Sequence, residues 1–187
     1  MTLIAIADAG VVDGEAAAVA EECLADVIGF ETARIPPLPD IDYARDAARN
    51  QYSSTLVLRE AQKHRPSNAA QLLVFTERDI FIPMLSFVFG QAQLDGPVAV
   101  LSLARLRQEF YGLPPNRVLF LARVRKETLH EVGHTLGLTH CSDRQCTMSL
   151  STSIQQLDAK GSWYCETCTA LVREKIPSAR RAAVPEV

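Results

Sequence analysis

The chain has 187 residues, 19 Lys+Arg against 22 Asp+Glu, 48% hydrophobic and 22% charged side chains. That length suits one domain with a real core, and that composition excludes a disordered chain. A net charge of −3 leaves no electrostatic footprint for nucleic acid or an anionic membrane, and no apolar run reaches the ~20 residues that span a bilayer. Residues 1–50 hold ten acidic and three basic side chains, and the rest of the chain 12 and 16. Neither block is a continuous like-charge run, so both read as solvated surface. The start, Met1 to Asp8, lacks the basic region and apolar length of a signal peptide. A cytoplasmic location is therefore expected, where clustered cysteines bind metal more often than they form disulfides.

In chain order, Thr2–Ala7 is a short apolar run predicting a buried strand that ends at Asp8-Ala-Gly10. Asp13–Val27, with Val19, Cys23 and Val27 four residues apart, predicts a helix in which Cys23 is an inert core residue. Phe30–Ile35 predicts a second strand, stopped by Pro36-Pro37. A helix is expected from about Tyr43 to His64, with the surface residue His64 in its basic end and Pro66 stopping it. Gln71–Phe75, Phe87–Gly90 and Val98–Ser102 predict strands around the turn at Asp95-Gly96. Pro114-Pro115 opens a helix running to about Gly137. This order implies an α/β layer on a mixed sheet. Beyond residue 140 periodic apolar segments are few, so something besides a core is needed to hold the chain, and residues 176–187 read as a loose tail.

Three of the four His and four of the five Cys fall between His130 and Cys168. His130-Glu131-Val-Gly-His134-Thr-Leu-Gly137-Leu-Thr-His140 places two imidazoles four residues apart on one helix face. Gly137 can take positive φ at the helix end and turn the chain so that His140 reaches the same metal. Three His ligands leave a tetrahedral zinc one open position, and Glu131, one residue on from His130, lies near the water there. With the chain's own residue frequencies, five fixed positions match by accident on the order of five times in a million. Scattered surface histidines explain one such residue but not this constellation.

The third His runs into Cys141-x4-Cys146-Thr-Met148, followed by Cys165-x-x-Cys168. Two cysteine pairs at this spacing fit a closed four-thiolate zinc site. A lone pair could be redox-active and a secreted chain could use two disulfides, but the second pair and the missing signal peptide speak for metal. Such a site is structural, because four thiolates leave no open position, and it helps hold a core-poor segment together.

The chain in these residues resembles the archaemetzincins, small two-zinc members of the metzincin metallopeptidases. The resemblance is specific over 130–168 and looser over 71–129, where it rests on Phe87-Val-Phe-Gly90 and Ser102-Leu-Ala-Arg105-Leu106. It implies a metzincin-like α/β fold: a twisted mixed sheet with two long helices, then a small zinc-bound C-terminal subdomain. One catalytic domain is expected over 1–187, with the sheet and active-site helix in 1–140 and the four-cysteine site in 141–175. By resemblance His130, His134 and His140 bind catalytic zinc and Glu131 is the general base. Cys141, Cys146, Cys165 and Cys168 bind structural zinc, and Met148 is the Met-turn residue beneath the histidines. Trp163 and Tyr164 are expected to pack the small site rather than touch substrate.

The function implied is hydrolysis of peptide bonds through a zinc-activated water, with two zinc per chain and a peptide or small protein as substrate. An edge strand near Phe87–Leu94 would pair with that peptide. A monomer is expected, without an inhibitory prodomain, controlled by a narrow cleft or a preference for short peptides. The alternative from another class is a catalytically silent zinc-bound protein using the same cleft to bind peptides. A zinc-ribbon adaptor explains the cysteines but not the histidines.

Overall fold

The computed structural model describes residues 3–175. Its elements are β1 Leu3–Ala9, α1 Gly14–Cys23, β2 Glu31–Arg34, β3 Arg45–Asp46, β4 Gln51–Ser53, α2 Ser54–Ala61, β5 Gln71–Thr76, β6 Ile80–Phe81, β7 Gly90–Ala92, β8 Val98–Ser102, α3 Arg117–Thr135, α4 Ile154–Ala159 and α5 Glu166–Lys175. The main sheet runs β2-β1-β5-β8-β7, and β3-β4-β6 form a small second sheet. Strands β2, β1, β5 and β8 are parallel, and β7 closes one edge antiparallel to β8.

Period-two alternation divides the core between the two faces of the main sheet. Ile4 and Ile6 of β1, Leu73 and Phe75 of β5 and Leu101 of β8 share one cluster with Ala16, Ala20 and Cys23 of α1 and Phe120, Val124, Leu129 and Val132 of α3. Ala5, Ala7, Leu72, Val74, Val98 and Val100 face the other way, onto Val57, Leu58 and Ala61 of α2. Every residue of β5 and β8 is buried, as expected for parallel strands covered on both faces. The mixed α/β fold with two long helices is thus present, the long helices being α1, continued by a π turn to Ile28, and α3.

Local chemistry sets the helix ends. Asp13 caps α1 by accepting from Glu15 N at 3.1 Å and also binds the guanidinium groups of Arg107 and Arg117, so the starts of α1 and α3 are tied together. Those arginines hold the Asp13 carboxyl far below its usual range. Asn116 caps α3 by accepting from Leu119 N at 3.0 Å, so the helix starts after Pro114-Pro115 rather than at them.

The single helix expected from Tyr43 to His64 does not form. The Asp46 carboxylate accepts from Ala48 N and Arg49 N at 2.9 and 3.1 Å, and Asn50 has φ 52°. These side-chain and left-handed turns divert the chain into β3 and β4, leaving helix only at α2. His64 lies exposed in the 3-10 turn that follows. Phe87–Phe89 precede the edge strand instead of forming it: Val88 makes an isolated bridge to Ile80, and regular pairing begins at Gly90.

The segment after residue 140 is better anchored than its sequence suggests. Cys146, Met148, Ile154, Leu157, Tyr164 and Val172 join the α1/α3 core. The flank of α3 also holds the end of α4: buried Arg123 donates to both carboxylate oxygens of Asp158 at 2.7 Å and to Leu106 O at 2.8 Å, while Lys126 Nζ donates to Leu157 O and Asp158 O. The tail expected at 176–187 lies outside the described residues. Asp158→Ala leaves the Arg123 guanidinium buried without its carboxylate and should lower unfolding free energy by about 2 kcal/mol in denaturant titration. A change below about 0.5 kcal/mol, the scale of ordinary surface substitutions, would contradict this anchoring.

Candidate metal centres

Both expected ligand sets assemble. Among the described residues, His130, His134 and His140 form one group and Cys141, Cys146, Cys165 and Cys168 another, with ligand atoms within 4.8 Å of one another in each. Helix α3 supplies His130 and His134 one turn apart. Its end then reverses at Gly137, whose φ of 89° is left-handed, with Leu138 N donating to Gly133 O. The His140 ring comes to 5.4 and 5.0 Å, centre to centre, from the other two.

Hydrogen bonds settle which imidazole nitrogens face the centre. His130 Nδ1 lies 2.8 Å from Thr147 O and His134 Nδ1 lies 2.7 Å from Leu138 O. A carbonyl oxygen only accepts, so both Nδ1 atoms carry the proton and both Nε2 atoms are bare. Those two Nε2 atoms are 3.2 Å apart. Without a proton between them this contact sets two lone pairs against each other. Two imidazole ligands of one tetrahedral zinc, at Zn–N of about 2.05 Å, stand about 3.3 Å apart. The residues fit that ion.

Glu131 is buried beside them, 4% exposed, and its Oε2 has no hydrogen-bond partner among the described residues. Burial holds its carboxyl well above the ordinary range; Glu127 adds to that rise and Lys160 opposes it. The carboxylate is boxed in by the edge strand: a Cβ on Gly90 would lie 2.6 Å from Glu131 Cγ and Oε1. Only glycine lets β7 approach the helix this closely. Burial likewise lowers the proton affinity of all three imidazoles, most strongly that of His130, which favours the neutral, ligating form.

Met148 is fully buried under the helix, and a Cβ on Gly133 would lie 2.4 Å from its Sδ. The turn carrying it is pinned on both sides, with Cys141 N donating to Met148 O at 2.9 Å and Thr147 N donating to Trp163 O at 2.8 Å.

All five cysteines are free thiols. Cys141 Sγ and Cys165 Sγ are 3.8 Å apart, far beyond a disulfide bond, and two thiolates on one tetrahedral zinc with Zn–S near 2.3 Å stand about 3.8 Å apart. Cys165 N donates to Cys146 Sγ at 3.3 Å. Tyr164 is buried against this group, its hydroxyl donating to Leu129 O at 2.6 Å, whereas Trp163 is 47% exposed and covers Gly161. Cys23 belongs to neither group, its thiol pushed up to about 12 by burial.

A cleft of about 450 Å³ opens over the histidines, between Gly90–Ala92 and Leu94 on one wall and Leu150–Thr152 on the other. Three features of this region have no strong sequence signal: the Gly90–Glu131 contact, the carbonyl acceptors at Thr147 and Leu138, and a buried Glu127–Lys160 pair beneath His130. A glycine inside a strand prediction was the one available hint of close approach.

The sequence model of peptidase family M54 matches residues 56–174. An archaemetzincin from Methanocaldococcus jannaschii is 46% identical over 141 residues, 74% of this chain and 76% of that protein. The crystal structure of archaemetzincin from Methanopyrus kandleri superposes with a TM-score of 0.80 at 33% identity, covering 93% of this chain and 94% of that one. A zinc-dependent peptidase from Methanocorpusculum labreanum superposes with a TM-score of 0.81 at 27% identity, over 90% of this chain and 99% of that one.

Gly133→Ala should destabilise the chain by about 1–3 kcal/mol through overpacking on Met148. Gly14→Ala, where nothing lies within 4 Å of the added methyl, is the neutral control. Equal denaturant midpoints for the two variants would contradict the close packing of α3 on Met148.

Proposed function

This chain belongs to peptidase family M54, the archaemetzincins, and we propose that it hydrolyses peptides with two zinc ions in separate roles and Glu131 as general base. Membership makes it a zinc metallopeptidase. The further reading is that His130, His134 and His140 hold the catalytic ion, while the four cysteines hold a structural ion that organises 141–175 as a small subdomain. When bound, the catalytic zinc supplies Lewis acidity, which eases loss of a proton from water and polarises a carbonyl group.

The observation that carries this reading is the placing of Glu131, buried in the cleft lining beside the bare Nε2 atoms of His130 and His134, with one oxygen unpartnered among the described residues. A peptide-binding module has no need of a buried base there. The Glu131 carboxylate would accept the proton of the attacking water and return it to the leaving amine. Burial suits it to that task, since a carboxylate with raised proton affinity accepts a proton more readily than an exposed one. Strand β7 uses one edge for β8 and stands at the margin of the sheet. Its other edge borders the cleft and would pair with an extended peptide, setting the scissile bond over the histidines.

Glu131→Gln should retain about two zinc per chain, measured by metal analysis, and lose cleavage by about 10²–10⁴-fold, the range of general acid–base catalysis. Gly90→Ala, which pushes the same carboxylate aside, should lower kcat with zinc content unchanged. Zinc-loaded native chain that cleaves nothing in a broad peptide library, or a Glu131→Gln variant as active as native, would contradict the reading.

A further inference from the structure

A lysine and a glutamate are buried together beneath His130. The side chains of Lys160 and Glu127 are 1% and 4% exposed, with Nζ 3.0 Å from Oε1. A buried ion pair is weak evidence of stabilisation, because desolvating two charges offsets most of their attraction. Neither residue belongs to the ligand sets. Lys160 Nζ also lies 3.3 Å from Ser149 O and 3.4 Å from His130 Nδ1. His130 Nδ1 therefore faces two neighbours of opposite character: Thr147 O, which only accepts, and the Lys160 ammonium, which only donates.

The two partners have opposite consequences for the metal. With Nδ1–H on Thr147 O, Nε2 is bare and faces the ion. With Lys160 donating to Nδ1, the neutral ring carries its proton on Nε2 and the ligating lone pair is lost. We propose that Glu127 is a positioning residue for the histidine site: it holds the Lys160 ammonium, keeping that donor off His130 Nδ1 and screening its charge from a divalent cation. Glu127 stands one helical turn before Glu131 and lines the same cleft, so it acts from the wall of the site. Ser149 O engages the same ammonium from the Met148 turn. The inference rests on the reading of His130 as a metal ligand.

Zinc titration of the full chain against a chromophoric chelator tests it, with the thiolate site as internal reference. The histidine-site step is identified by its loss in His134→Ala. Glu127→Gln should weaken zinc at the histidine site about 10–100-fold, while Lys160→Met and the double variant stay within about threefold of native. Histidine ¹⁵N shifts of the metal-free chain should show His130 moving to the Nε2–H tautomer in Glu127→Gln alone. If that variant does not fold, Glu127→Asp, which draws the carboxylate back from Nζ, replaces it with the same expected order. Equal losses in the two single variants, a double variant no better than Glu127→Gln, or unchanged affinity in Glu127→Gln overturns the proposal. A native chain with no histidine-site step overturns the ligand reading itself, and the proposal with it.

Discussion

The hydrogen bond between His130 Nδ1 and Thr147 O joins the histidine group to the turn that carries Cys146. It fixes the tautomer of the most buried imidazole and thereby aims Nε2 at the centre of the histidine triad. Thr147 stands between Cys146 and Met148, so the carbonyl is carried by a turn with a member of the cysteine group on one side and the helix-packing methionine on the other. Contacts to Trp163 O, Lys126 O and Cys141 N hold that turn in place. One turn therefore links the cysteine group to the histidine group, although the two share no residue.

The rest of the fold brings one helix and one strand edge to this turn. Helix α3 packs against α1, β8 and β7 and presents His130, Glu131 and His134 from the same turns. Its flank grips α4 through Arg123 and Lys126, which carries Lys160 under His130. On the other side β7 comes so close that Gly90 has no room for a side chain beside Glu131. The Glu131 carboxylate is thus held between sheet edge and helix. Packing supplies the orientation, and the neighbouring charges set how strongly each group holds its proton.

The two candidate metal-binding groups were legible because metal chemistry writes itself into short spacings: His130 and His134 four positions apart, a glycine before His140, and two close pairs of cysteines. The parallel strands were legible from apolar runs, and β8 falls where Val98–Ser102 was expected. The helix expected at 43–64 failed because Asp46 satisfies the backbone locally and Asn50 takes a left-handed φ, a competition that composition does not reveal. The buried pair Glu127–Lys160 spans 33 positions and comes together only through the packing of α4 on α3. Likewise the core role of Ile154, Leu157 and Val172 depends on long-range contacts, so the C-terminal segment looked emptier than it is. Local chemistry can be read along the chain, whereas second partners that tune it come from tertiary structure.

On the proposed reading one chain carries two ions of opposite design, one open and one closed. Anomalous diffraction at the zinc edge, from crystals grown with zinc, separates the two. Two peaks are predicted: one about 2.0–2.1 Å from three histidine Nε2 atoms with a non-protein fourth ligand, the other about 2.3 Å from four cysteine sulfurs. A single peak, or an ion bridging histidine and cysteine ligands, would contradict the account.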